Sequence, residues 1–447
     1  MKIAWFTPFH RFSAIGRFSR LVTAELARSA EVDIWHPVAE ETHQTQLRTI
    51  SCPDDLILGP DAFAAYDLCV YNLGDHLPFH RHIFQTARAV PGVVVLHDFV
   101  MHHFFAGYYL HDRSDPHEYL RVMERLYGEA GKKVAAPVVA GNPAGVWESD
   151  RVIEFPLFEE AIRGASGVVV HSEFLCEAVS KAFPGPVKRL FLAYDRPGGD
   201  AAPLDRRDLN LPNDKLVAVS IGHANPNKRI LEVIEAIAQS PKLSHRLIYV
   251  VLGECDGLYG ETLWQSIREY GLGDTVRLMG QVSDEILSSY LSHADICVNL
   301  RYPTMEGASA SAIEEMLYGK PVVVTDSGFY RELPSDAVLK IRPGEEVQGL
   351  KQAFSQLADN PELRKRMGDR ARRFAAENSR PSRYAEGFLE FAKESMDAMP
   401  ILKFIDRAAT HLAAMGVSVD SPLINSVAQT AYELFCSRAP AREGNVK

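Results

Sequence analysis

Short runs of β-branched and aromatic residues recur along this chain, each followed by a turn and a segment with helical periodicity. Such alternation makes successive strands parallel, because each helix returns the chain to the same end of the sheet. The runs fall into two blocks. In the first, residues 2–6, 32–35, 68–71, 93–96 and 167–170 read as strands, with helical patterns over 17–29 and 155–163. In the second, 215–220, 247–252, 276–278, 296–300 and 321–325 read as strands, and 228–238, 261–270, 284–292 and 311–317 as helices. A polar stretch rich in Pro and Gly, 195–208, lies between the blocks and reads as a linker.

The predicted organisation is a first domain over 1–195, a linker over 196–213, a second domain over 214–385 and C-terminal helices over 386–447 that can pack back on the first domain. A basic helical stretch, 361–376, closes the second block. Two amphipathic segments then form a helical hairpin, 401–415 after Pro400 and 422–435 with Asp420 or Ser421 as N-cap. Residues 437–447 read as a disordered tail.

A formal charge of −10 over 447 residues gives no basic footprint for nucleic acid. The six cysteines are scattered without a C-x-x-C pair, as in a reduced cytosolic protein. The apolar start, Met1-Lys-Ile-Ala-Trp-Phe, is short enough to be a first strand and too short for a signal peptide. No apolar run approaches the roughly 20 residues of a membrane span, so membrane contact would be peripheral, at the inner face.

Chemistry concentrates in two stretches. In Glu306-Gly-Ala-Ser-Ala-Ser-Ala-Ile-Glu314, two carboxylates flank a loop and a helix N-terminus whose free backbone N–H groups suit a phosphate. An anion site between two hydroxyl-binding carboxylates is what a sugar nucleotide requires. In Ser220-Ile-Gly-His-Ala-Asn-Pro-Asn-Lys-Arg229, a strand C-terminus leads through Gly222 to Lys228, a point charge for a diphosphate that Arg229 or His223 could supplement. Against this stands the plainer reading of Lys228 and Arg229 as solvated first-turn residues.

Other clusters also admit two readings. Eight of the sixteen histidines fall between His76 and His117; a polar cleft wall fits their spacing better than a metal site. Arg11, Arg17 and Arg20 interleave with Phe9, Phe12 and Phe18, either as a face for anionic membrane or as an ordinary helix with solvated arginines. The aromatic run 104–109 reads as packing, with an acceptor platform as its functional alternative. The basic cluster at Arg364 to Arg373 reads as a solvated face.

Together, the Gly222 to Lys228 turn, the Glu306 to Glu314 pair and the following Gly319-Lys-Pro-Val-Val-Val-Thr325 resemble the nucleotide-sugar domain of retaining GT-B glycosyltransferases, glycosyltransferase family 4. The resemblance covers most of 215–335 and is looser over 1–195. It implies an α/β fold of GT-B type: two Rossmann-like parallel-sheet domains facing across a cleft, plus a C-terminal helical extension. It further implies a retaining, metal-independent transferase that moves a sugar from a UDP- or GDP-sugar to a glycan or lipid-linked glycan, in bacterial surface polysaccharide synthesis. The nucleotide sugar is a substrate, and no cofactor is expected. Self-association into a homo-oligomer fits the class.

Residue by residue, the resemblance puts Glu314 on the ribose and Glu306 on the donor sugar hydroxyls. The amides of Gly307, Ala308 and Ser309 would meet sugar or diphosphate, and Lys228, with His223 and Arg229, the diphosphate. Gln281 and Val282 would line the base pocket, His97 would touch the sugar, and Gly16 would lie where acceptor and diphosphate meet. The catalytic set implied is His97, Glu306 and Lys228. This chain departs from the family's pattern in carrying His223 for Arg, Ala308-Ser309 for Phe-Gly, and a second glutamate, Glu315, beside Glu314. With no nucleophile in view, same-face substitution is the expected route. Two alternatives share the architecture: a nucleotide-sugar 2-epimerase and a catalytically inactive scaffold subunit.

Overall fold

The computed structural model describes residues 1–38, 41–53, 58–142, 144–196, 202–418 and 421–435. The expected tail, the Asp420 cap and linker residues 197–201 lie outside the described residues.

The first domain is a seven-stranded sheet of β1 (Lys2–Phe6), β2 (Glu31–Pro37), β3 (Thr49–Cys52), β4 (Leu68–Leu73), β5 (Val93–Leu96), β6 (Gly167–Val170) and β7 (Val187–Arg189), in the order β3-β2-β1-β4-β5-β6-β7. The second is a six-stranded sheet of β8 (Leu216–Ile221), β9 (Leu247–Leu252), β10 (Val276–Leu278), β11 (Ile296–Asn299), β12 (Val322–Thr325) and β13 (Val338–Ile341), in the order β10-β9-β8-β11-β12-β13. All the strand pairs are parallel. The central strands are buried on both faces, which is why they read as unbroken apolar runs.

Three edge strands escaped the apolar-run signal. β3 and β7 are short and half-exposed, and β13 carries Lys340 in its middle. Each sheet reverses its order of growth beside its first strand, between β1 and β4 and between β8 and β11. Loops leaving the C-terminal ends of those neighbours diverge and open a crevice for a ligand.

The helix Pro381–Ala414 ties the two domains together. It buries Tyr384, Phe388, Phe391 and Ala392, sets Phe388 edge-on to Trp5 of β1 at 5.4 Å, and bonds Ser395 Oγ to Ser166 Oγ at 2.8 Å. The expected break at Pro400 does not occur, and the helix runs through it. A lost N–H and a ring clash cost about 3 kcal/mol there, which a helix anchored by this much aromatic burial can carry. The described linker residues, from 202 on, pack on the second domain: Leu209 and Leu211 are buried, and Leu204 N–H bonds Ser289 Oγ at 2.9 Å.

The cleft is also closed by polar contacts. The Glu332 carboxylate accepts the N–H groups of Glu173 and Phe174 at 2.9 and 2.7 Å, at the N-terminus of the helix Glu173–Ala182. The N–H groups of Phe99 and Val100 both donate to Met305 O, at 2.8 and 2.9 Å.

Candidate active site

The second sheet's crevice holds two cations. Gly222 follows β8 with φ of 93°, and a Cβ there would stand 2.5 Å from Lys228 Nζ. Only glycine gives both the turn and the room. Lys228 Nζ donates to Ile221 O at 3.1 Å. Burial foremost, then the charge of Arg301, pushes the lysine down to about 7. Arg301, just beyond β11, is buried; its Nε lies 3.3 Å from Glu306 Oε1 and its guanidinium also donates to Leu300 O at 2.7 Å. Glu306 Oε1 further accepts from Tyr330 O–H at 2.5 Å. Sequence reasoning missed Arg301 and Tyr330. The available signal for Arg301 was a cation directly after a buried strand, at the sheet end that binds ligands.

The helix Ala310–Leu317 forms the crevice wall. Ser309 caps it, its Oγ accepting Ala312 N–H at 3.2 Å. Two buried glutamates on it look in different directions. Glu314 Oε2 accepts from Tyr194 O–H at 2.6 Å, and Tyr194 Oη in turn accepts from Arg17 at 3.3 Å. Glu315 Oε2 accepts from Asn299 Nδ2 at 3.0 Å, and burial pushes its carboxyl up to about 8. Burial likewise raises Glu314. Among the described residues, the Oε1 atoms of both Glu314 and Glu315 have no hydrogen-bond partner.

The remaining expected residues are placed as follows. Ala308, like Val282 beyond β10, is half-buried against the core, and Ser309 is buried. His223 is exposed, 3.6 Å from Glu254. Arg229, left-handed at φ 52°, is shared by Asp150 at 3.2 Å, Glu232 at 3.3 Å and the Tyr302 ring, so its charge is already answered by carboxylates. Gly16 packs against Pro8 O and donates its N–H to Ser13 Oγ at 3.0 Å. The Gly307 N–H, expected on the donor, goes instead to His97 O at 2.8 Å.

One reading needs correction, and two functional alternatives fall away. The His97 ring does not face the cleft. It is buried, its Nε2 3.0 Å from Asn72 Oδ1 and its Nδ1 3.2 Å from His171, and burial holds it well below the usual imidazole range. What His97 offers the cleft is its carbonyl. The basic-aromatic face is not formed either: Phe9 and Phe18 are core residues, and Arg17 binds Asp195 and Tyr194 across the hinge. The aromatic run 104–109 packs as expected, with Phe104, Phe105, Tyr108 and Tyr109 buried, and its alternative as a platform in the cleft falls away.

Residues 202–374 match the model of the family Glycosyl transferases group 1. The match lies over the second domain and covers less than half of the chain. The group 1 match begins where the chain joins the second domain and ends within the helix Pro361–Asn378, so it contains Lys228, Arg301, Glu306 and Glu314. Among curated relatives, the D-inositol 3-phosphate glycosyltransferase of Streptomyces coelicolor is 28% identical, over 53% of this chain and 54% of its own length. The α-D-kanosaminyltransferase of Streptomyces kanamyceticus is 26% identical, over 47% and 56%. The chain spans between 27% and 56% of the length of the curated relatives it matches.

Solved structures share the two-domain architecture. A sucrose-phosphate synthase from Thermosynechococcus elongatus superposes with a TM-score of 0.60 at 17% identity, over 88% of this chain and 98% of that one. Anabaena HepE in complex with UDP superposes with a TM-score of 0.60 at 18% identity, over 88% and 100%. The fold is GT-B: two Rossmann-like domains facing across a cleft, with a C-terminal helical extension.

Proposed function

We propose that the chain is a retaining family 4 glycosyltransferase that moves a sugar from a UDP- or GDP-sugar to a glycan or lipid-linked glycan, in bacterial surface polysaccharide synthesis. The observation that carries the reading is Glu314 Oε1, a buried acceptor without a partner on the helix that walls the Lys228–Arg301 crevice. Buried acceptors are almost always satisfied, and a ribose hydroxyl would satisfy this one. That HepE was solved with UDP and with UDP-glucose supports a nucleotide-sugar donor.

Lys228 and Arg301 are the groups that would face the diphosphate. Their charge stabilises the oxygen that leaves as the glycosidic bond breaks, and it does so without a metal ion. In same-face substitution the anomeric C–O bond to the diphosphate breaks and the acceptor oxygen bonds the same face. The acceptor's proton passes to the departing diphosphate oxygen. Glu306, held by Arg301 and Tyr330, accepts donor sugar hydroxyls and has no acid–base task. Glu314→Ala and Lys228→Ala should each lower transfer from UDP-glucose by roughly 100-fold or more, with unchanged circular dichroism. Wild-type turnover in both variants would sink the reading.

A further inference from the structure

Facing the cation crevice across the cleft is a cavity of about 390 Å³ that belongs mainly to the first domain. It sits at that sheet's own point of reversal, between Phe12 after β1 and Asp75 and Phe79 after β4, with Asp98 after β5 and Glu306 completing the wall. Its size lies within the range of small-molecule sites.

The charges lining it are one-sided. Asp75, Asp98 and Glu306 contribute carboxylates, and among the described residues no lysine or arginine lines it. Two of the three are answered from behind. Asp75 lies 2.7 Å from His103 Nδ1, and Glu306 lies 3.3 Å from Arg301. Among the described residues no cation lies within ion-pair distance of Asp98, although the His103 charge behind Asp75 acts on it; its Oδ2 accepts the Asp75 N–H at 2.8 Å. The histidines at the cavity do not supply a charge: His80 is pushed down to about 3 by burial, and burial lowers His76 as well. Arg11 lies over the Phe12 ring and is paired with Glu41. The rim is aromatic, with Phe12 exposed and Phe79 packed on His76 at 4.5 Å and on His10 at 6.0 Å.

We propose that this cavity is the acceptor subsite and that it takes a neutral or amine-bearing polyhydroxyl ring, with Asp98 accepting a hydrogen from its hydroxyl or ammonium group. The inference rests on the glycosyltransferase reading. Carboxylates accept hydrogen bonds from hydroxyls and attract ammonium groups, and they repel phosphate and carboxylate. Exposed aromatic faces pack the apolar face of a sugar ring. The two sides therefore differ in charge: Lys228 and Arg301 lie on the donor side, and the first-domain wall of the cavity contributes only the carboxylates Asp75 and Asp98, with Glu306 at the boundary between them. Burial, and then the nearby Asp75 and Glu306 charges, push Asp98 up to about 7. A bound ammonium reverses that shift, so an amine binds better as pH rises through about 7.

Saturation-transfer NMR on the full chain loaded with UDP tests this with glucose, glucosamine and glucose 6-phosphate as probes. Glucose and glucosamine should respond and glucose 6-phosphate should not. Asp98→Asn should weaken glucosamine binding roughly ten-fold, the scale of one charge-assisted hydrogen bond. Phe12→Ala, an exposed change that leaves the core untouched, should weaken both glucose and glucosamine. An equal response from the phosphate, silence from all three sugars, or an Asp98→Asn protein that binds glucosamine like the wild type overturns the proposal. UDP binding by calorimetry reports separately on the donor side, so its failure would count against the glycosyltransferase reading and not against the subsite's charge.

Discussion

A free lysine keeps its proton to a pKa near 10.4, yet Lys228, wedged under Gly222 and beside Arg301, is held near 7. A diphosphate in the crevice would restore the proton. Below pH 7 the lysine is already charged in the free chain, so binding takes up nothing. Above it, binding takes up a proton and affinity falls by at most about tenfold per pH unit. UDP titrations at pH 8 in buffers of different ionisation enthalpy should show buffer-dependent heats, and the dependence should vanish in Lys228→Arg. Identical heats in every buffer would remove Lys228 from the diphosphate site. The spacing of Glu306 and Glu314 was legible in the chain. That Glu315, one residue on, turns inward to Asn299 was not, because adjacent helix positions differ by about 100° in direction.

At the scale of elements, the segment between β11 and the helix Ala310–Leu317 is pinned to the first domain as well as positioned by its own. A Cβ on Gly307 would stand 2.7 Å from His97 O and 2.8 Å from the Leu175 side chain. Gly307→Ala should therefore force the two apart at a cost of about 1–3 kcal/mol, seen as a lowered Tm in the ligand-free chain. An unchanged Tm would mean the contact gives way freely. The buried strands were readable because burial on both faces writes an unbroken apolar run. The half-exposed edges β3 and β7 write no such pattern, and their pairing depends on the neighbour that receives them. Likewise Phe9 and Phe18 look identical to Phe12 in the sequence. Packing buries the first two and leaves Phe12 at the mouth of the acceptor cavity.

For the molecule as a whole, the relative position of the domains depends on contacts between residues far apart in the chain. Glu332 satisfies two of the free N–H groups at the N-terminus of Glu173–Ala182, where a carboxylate also meets the positive end of the helix dipole. Glu332→Ala should loosen closure without unfolding either sheet. Small-angle scattering should give a larger radius of gyration for the ligand-free variant at unchanged circular dichroism; an identical radius would show that the aromatic helix Pro381–Ala414 alone sets the closure. By itself the sequence determined the two parallel-sheet domains, the crevice loops and the Lys228, Glu306 and Glu314 positions, since periodicity and turn residues are local signals. Only the tertiary structure decided that the His97 ring turns inward, that Arg301 and Tyr330 hold Glu306, and that Arg17 reaches Glu314 through Tyr194. Those outcomes depend on which distant surface arrives to exclude water from each side chain, and no local pattern encodes that.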